Sequence, residues 1–289
     1  MHSSFRSRGF GLDLHVLSWA PDRPRKETIV LLHGYMDAAA TWDLCAPTLV
    51  AAGYRVLAPD LRGYGSSDRV PVGGYYHFPD YIADVSRVLD EHVPGPVFLV
   101  GHSMGGTVAT LYAGTRPERV QKLALLEGMG PPDNPPDTAP LRMKRWLDDL
   151  ERHRAPKTQE LFARPMTEED ALARLQSNHP RVPRALLESR LMHLARGVEG
   201  GLAWRFDPLH RTTSPMPFYA KTFEAFAHAI TCPVLYVSGG KAGYRPPDEA
   251  ERLAAFRNVR AVDLENAGHM MHWTEPGELT RLLLEHFRE

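Results

Sequence analysis

Short runs of consecutive apolar residues alternate along the chain with longer stretches in which apolar positions recur every three or four residues. The runs at 28–32, 54–60, 97–100, 121–127, 233–238 and 259–264 have the length of buried strands. The stretches at 38–52, 80–92, 107–113, 248–256 and 276–287 read as helices; in 80–92 the apolar positions are Ile82, Val85, Val88 and Leu89. Gly53 stands where a helix over 38–52 would take its C-terminal cap. Strands separated by helices predict an α/β fold, a mostly parallel doubly wound sheet covered on both faces. A weak alternation over 11–18 adds one opening strand, expected to be antiparallel.

The pattern changes after residue 127. Prolines at 131, 132, 135, 136 and 140 exclude a central strand or helix interior there. From 141 to about 230 the pattern holds no strand, only amphipathic helical stretches at 141–154, 167–178, 183–195 and 217–229. Thr167-Glu168-Glu169-Asp170 resembles a capping box opening the second of them, with Asp in place of the usual Glu. Pro233 then sits at the first position of the next strand, where a missing N–H is tolerated. Residues 1–130 and 231–289 therefore form the expected α/β core, with 131–230 as an inserted helical cap.

Bulk properties narrow the function class without naming it. At 289 residues the chain can bury a sizeable core, and 43% hydrophobic with 24% charged residues is ordinary for a globular protein. A net charge of −1 gives no pull towards nucleic acid or an anionic membrane. No run of about 18 apolar residues occurs, and the first residues lead into no signal-peptide core. Cys45 and Cys232 lie far apart without metal-ligand spacing, which reads as two buried free thiols in a reducing compartment. A cytoplasmic enzyme without metal or cofactor, monomeric or homodimeric, is the expectation.

The chemistry centres on Val97-Phe98-Leu99-Val100-Gly101-His102-Ser103-Met104-Gly105-Gly106. An apolar strand, a turn of small residues and a small-residue helix surround one serine, which fits the Gly-x-Ser-x-Gly nucleophile elbow. The glycines have a steric reason: such a turn brings the residues two before and two after the serine together, where a Cβ would clash. A serine nucleophile needs a base held in one tautomer by an acid. His269, in the loop after the last strand, lies where parallel strands send their loops into one crevice. His272 lacks the preceding glycine and sits beside Trp273, so it is expected to be structural or rim-exposed.

These pieces together resemble the α/β-hydrolase superfamily over nearly the whole chain. They are His33-Gly34-Tyr35, Asp60-Leu61-Arg62-Gly63-Tyr64-Gly65-Ser66-Ser67-Asp68, the elbow, and Gly268-His269 followed by Glu275-Pro276. The resemblance implies that the backbone N–H groups of Tyr35 and Met104 form the oxyanion hole. Most relatives carry the acid after the strand that follows the cap, but Ser238-Gly239-Gly240-Lys241-Ala242-Gly243-Tyr244 has no carboxylate. Other members place it at the end of the strand before the cap, which here is Glu127; Asp248 is the rival. The stretches around Glu127-Gly128-Met129-Gly130, Leu202-Ala203-Trp204-Arg205-Phe206 and Lys241-Ala242-Gly243-Tyr244 look more loosely like the serine hydrolase-like protein subfamily.

The resulting expectation is a hydrolase of carboxylic esters with a Ser103–His269–Glu127 triad. The alternatives are C–C bond or lactone hydrolysis on the same triad, or a hydrolase-fold protein that binds a ligand without turnover. Epoxide hydrolase and haloalkane dehalogenase chemistry would require an aspartate at position 103. The Arg62 to Asp68 loop is expected to fix geometry rather than to react. Among the cap aromatics, Trp146, Trp204, Phe206 and Phe218 are the candidates for a pocket that favours an apolar acyl or alcohol group.

Overall fold

The structure, a computed structural model, describes residues 2–23 and 27–288. Its main sheet has eight strands: β1 (Ser3–Arg8), β2 (Asp13–Trp19), β3 (Thr28–Leu32), β4 (Arg55–Pro59), β5 (Val97–His102), β6 (Val120–Leu126), β9 (Val234–Ser238) and β10 (Val259–Asp263). Their order is β1-β2-β4-β3-β5-β6-β9-β10, with β1–β2 and β2–β4 antiparallel and the rest parallel. Every residue of β3, β5 and β9 is buried, as strands covered on both faces must be. Alternation then sends Val30, Leu99, Leu125 and Tyr236 to one core, and Ile29, Phe98, Ala124 and Leu235 to the other.

Helices fill the two faces. α2 (Phe78–His92) and α3 (Met104–Thr115) cover the first with Val85, Val88, Val108 and Tyr112. α1 (Ala46–Ala51) and α11 (Pro276–Arg288) cover the second with Leu49, Leu282 and Leu283. The single helix expected over 38–52 is split into a 3₁₀ turn at Ala39–Leu44 and the short α1. Pro47 is the reason: its ring would clash with the carbonyl four residues back, and it has no N–H to donate to that oxygen. The strand β1 was not expected, because Ser3–Arg8 is polar and edge strands need no apolar alternation.

Between β6 and β9 lie α4 (Ala139–Arg154), α5 (Pro156–Ala163), α6 (Glu168–Asn178), α7 (Arg184–Leu194) and α8 (Ala220–Ala229). The Thr167 hydroxyl accepts from the Asp170 N–H at 3.1 Å, so the expected cap on α6 is formed. The expectation of no strand here fails: β7 (Ala195–Val198) and β8 (Gly201–Trp204) make an antiparallel hairpin closed by Glu199 and Gly200. Gly200 has φ +82, which a two-residue hairpin turn requires. Strands of four residues containing Arg and Gly carry too little alternation to be read from sequence. The helices α6 and α7 bury Leu172, Leu175, Leu187 and Leu191 against Ala38, Met270 and Trp273, beside the carboxyl ends of the main strands. In contrast, α8 packs on α3, with Phe223 and Ala227 in the sheet core. Two further helices, α9 (Glu249–Ala254) and α10 (Met271–Thr274), flank β10. No helix among the described residues is long and apolar enough to cross a membrane.

Candidate active site

The sheet register sets the site. Leu32 pairs with Gly101, and His102 with Leu126, so Ser103 and Glu127 leave neighbouring strands side by side. Ser103 has φ 51 and ψ −118, a strained conformation for a residue with a side chain. The turn closes as expected: a Cβ on Gly101 would lie 2.4 Å from the Gly105 oxygen, and one on Gly105 would lie 2.5 Å from the His33 oxygen. The Ser103 N–H is anchored to the Leu126 oxygen at 2.9 Å. Met36 and Glu127, at φ 58 and 48, are the only other non-glycine residues with positive φ among the described ones. All three of these strained residues stand at this end of the sheet.

Glu127 and His269, 142 residues apart in sequence, meet with Oε2 2.6 Å from Nδ1. The Glu127 side chain is fully buried. Its remaining lone pairs go to the loop after β9: the Gly239 N–H donates to Oε1 at 2.5 Å, and the Tyr244 N–H to Oε2 at 2.6 Å. The loop that lacks a carboxylate thus grips one supplied by the adjacent strand. Gly243 is required there, since a Cβ on it would sit 1.8 Å from Oε1. This cradle has no residue-type signature other than its glycines, and sequence reasoning missed it. With Nδ1 donating to Glu127, His269 presents Nε2 as an acceptor.

Asp248, the rival acid, is committed elsewhere. It binds Arg252 one turn along at 2.9 Å, and Arg252 donates to the Met129 and Pro131 oxygens at 2.6 and 2.8 Å. The pair therefore clamps the backbone that follows Glu127. The Asp60 carboxylate likewise accepts from Ala39 N, Ser66 N and His15 Nδ1, while Arg62 forks onto Asp84 at 2.6 and 2.7 Å. These charges brace loops.

Around the base, His102 Nε2 donates to the His269 carbonyl at 2.8 Å. Burial, then the neighbouring imidazoles of His272 and His269, pushes the His102 pKa well below its ordinary value, so it is neutral. His272 is buried rather than on the rim; its Nε2 lies 3.0 Å from Asp37 Oδ2. Burial alone would raise the Asp37 carboxyl, but the His272 hydrogen bond and charge outweigh it and lower it. His33 Nε2 accepts from the Leu61 N–H at 3.0 Å, and its Nδ1 bonds the Gly34 oxygen at 2.8 Å, bracing the turn into Tyr35. At the start of α3 the Met104 and Gly105 N–H groups precede the first helical hydrogen bonds, which begin with Gly106 N–H donating to the Ser103 oxygen at 2.9 Å. Tyr35 lines the same cavity as Ser103, and Met104 follows Ser103 at the start of α3.

Ser103, His269 and Tyr35 line one cavity of about 560 Å³, which also takes in Trp204 and Phe206 from the β8 side. Trp146 and Phe218, two of the four expected pocket aromatics, lie outside it. Trp146 packs edge-on against Tyr75, at 5.8 Å between centroids. Phe218 stacks under the Arg252 guanidinium at 5.0 Å and against Gly130. Helical spacing gives a face but not the direction of that face towards Ser103. Both cysteines are buried and unpaired, as expected.

Four similarities bear on this arrangement. The alpha/beta hydrolase fold family matches residues 27–276. A serine hydrolase-like protein of Danio rerio is 30% identical over 189 residues, 65% of this chain but only 57% of its own length. The esterase Rv0045c of Mycobacterium tuberculosis is 28% identical over 283 residues, covering 93% of this chain and 85% of its own. The solved structure of the hypothetical protein PA1622 from Pseudomonas aeruginosa is similar with a TM-score of 0.84 at 25% identity, over 99% of both chains.

Proposed function

The chain belongs to the alpha/beta hydrolase fold family, and we propose that it is a serine hydrolase cleaving carboxylic esters through an acyl-enzyme. The observation that carries the reading is the 2.6 Å contact between Glu127 Oε2 and His269 Nδ1, one strand from a serine on a strained elbow. His269 Nε2 takes the proton as Ser103 Oγ attacks the ester carbonyl. The Tyr35 and Met104 N–H groups receive the developing oxyanion; such a donor contributes about 3–4 kcal/mol. His269 returns the proton to the departing alcohol, and the same base then activates water to release the acid. Glu127 holds the tautomer and offsets the imidazolium charge. Resting active sites often leave the nucleophile–base bond long, and bound substrate tightens it.

The part of 131–230 that precedes α8 acts as a cap: α6, and Trp204 with Phe206, enclose the Ser103 cavity and favour an apolar stem on the acyl or alcohol side, while α8 belongs with the core. The names of the relatives, a serine hydrolase-like protein and an esterase, agree with this reading. The test is labelling with a fluorophosphonate together with turnover of p-nitrophenyl esters. Stoichiometric labelling that Ser103→Ala abolishes is expected. Absence of both labelling and turnover would sink the reading.

A further inference from the structure

The Ser103 cavity adjoins a larger one of about 1150 Å³, and the two share four wall residues: Arg174, Trp204, Phe206 and Arg211. Trp204 and Phe206 stack with centroids 5.9 Å apart and planes at 17°, forming an apolar partition. The arginines stand at its margin. Arg174 projects from α6 one turn before Asn178, which lines the same cavity, and Arg211 ends the 3₁₀ turn Pro208–Arg211. Among the described residues neither forms an ion pair. Arg174 Nη1 contacts only the Met166 sulfur, at 3.1 Å, and a thioether is a weak acceptor.

Four carboxylates line the two cavities, Asp37, Asp170, Glu199 and Asp207, and among the described residues none pairs with either arginine, although Asp170 lies one turn before Arg174 on α6. Asp37, the carboxylate lining the Ser103 cavity, already accepts from His272, Ala38 N and Thr41 Oγ1. Asp207, in the larger cavity, is taken by the Tyr76 hydroxyl and the Leu209 N–H at 2.8 and 2.9 Å. Further arginines, Arg69, Arg164 and Arg196, line the larger cavity and also make no ion pair among the described residues. Arg174 and Arg211 are exposed, unlike the buried and acid-paired Arg62, Arg190 and Arg252, so their guanidinium groups are open to the cavities and to solvent. Arg211 also lies near the reacting end, since it lines the Ser103 cavity with Tyr35, whose hydroxyl donates to the carbonyl of the preceding His210 at 2.9 Å.

We propose that Arg174 and Arg211 form an anion subsite, so that the substrate is an ester or thioester carrying an anionic oxygen group at the end remote from the scissile carbonyl. A guanidinium fork matches carboxylate or phosphate oxygens in two parallel hydrogen bonds, and a neutral ester leaves both forks unpaired. The apolar stem lies on Trp204 and Phe206, and the charged end reaches the arginines at the mouth of the larger cavity. This rests on the serine hydrolase reading for the scissile end but is tested without turnover.

The experiment is calorimetric titration of the Ser103→Ala chain, which leaves the ester intact. Monomethyl adipate is compared with methyl hexanoate, and butyryl-CoA with S-butyryl-N-acetylcysteamine. In at least one pair the anionic member should bind tenfold or more tightly; the pair that does so identifies carboxylate or phosphate as the group recognised. Arg174→Gln and Arg211→Gln, each added to Ser103→Ala, should bring that ratio towards one. Equal or weaker binding of both anions, no binding of any, or a preference that survives both arginine changes would overturn the subsite. Failure of both fluorophosphonate labelling and ester turnover in the unmutated chain would instead overturn the hydrolase reading alone.

Discussion

Gly243 lies so close to the Glu127 carboxylate that a Cβ on it would stand 1.8 Å from Oε1. The loop after β9 can wrap an acid from the neighbouring strand only because this position has no side chain. Its φ of −81 is open to any residue, so the requirement is purely steric. Gly243→Ala should therefore displace the carboxylate from His269 without breaking the loop by backbone strain. A displacement near 1 Å costs about 10²-fold in rate. Steady-state kinetics on a p-nitrophenyl ester should show that loss in kcat with the fold retained by circular dichroism. Activity within twofold of the parent would contradict the cradle.

The cap is tied to the core by charge as well as by leucines. Asp43, in the 3₁₀ turn before α1, binds Arg190 at 2.5 Å and His193 at 3.0 Å on α7. Burial would raise the Asp43 carboxyl, but hydrogen bonds from His193 and Arg190 prevail and bring it down to about 2. A carboxyl lowered on folding contributes stability above its unfolded pKa of about 3.9, and that contribution is lost as pH falls towards 2. Asp43→Asn leaves the buried Arg190 without its acid and should cost about 2 kcal/mol in urea unfolding at pH 7. The gap between variant and parent should narrow below pH 4; a gap constant with pH would argue against the ion pair.

His210 adds a second source of acid sensitivity. It is stacked between Tyr64 and Tyr76 at 4.1 and 3.8 Å. Burial, only partly opposed by Asp207, takes its pKa down to about 3. The unfolded chain binds the proton first, near pH 6.5, so stability is full above that value and falls as pH drops towards 3. One such group contributes a slope of up to about 1.4 kcal/mol per pH unit. His210→Gln should flatten unfolding free energy against pH between 6 and 4 by up to that amount. An unchanged slope would contradict the buried neutral imidazole.

The sequence carried the elbow because strand, glycines and serine are contiguous, and the clash that demands glycine is local. It carried Glu127 only through resemblance, since nothing local announces that a strand-end glutamate meets a histidine 142 residues later. The Gly239 and Tyr244 donors were invisible because a backbone N–H belongs to every residue type and its direction is set by the fold. The same holds for Arg174 and Arg211: isolated arginines read as a solvated face until two cavities are seen to share them. Trp146 and Phe218 failed as pocket residues for the converse reason, since aromatic type predicts burial but not which cavity. The Ala195–Val198 and Gly201–Trp204 hairpin, which brings Trp204 to the site, is too short for its periodicity to register.

Whether the orienting acid comes from β6 is decided by comparing kcat of Glu127→Gln and Asp248→Asn. The amide at 127 would face a donor in either orientation: its NH₂ meets the Gly239 N–H in one, and the Tyr244 N–H and His269 Nδ1 in the other. A wrong tautomer or a lost carboxylate costs up to about 10⁴-fold in comparable triads. Glu127→Gln should lower kcat by orders of magnitude with an intact fold, while Asp248→Asn, which only loosens the Arg252 clamp, stays within tenfold of the parent. The reverse ranking would contradict the assignment of Glu127.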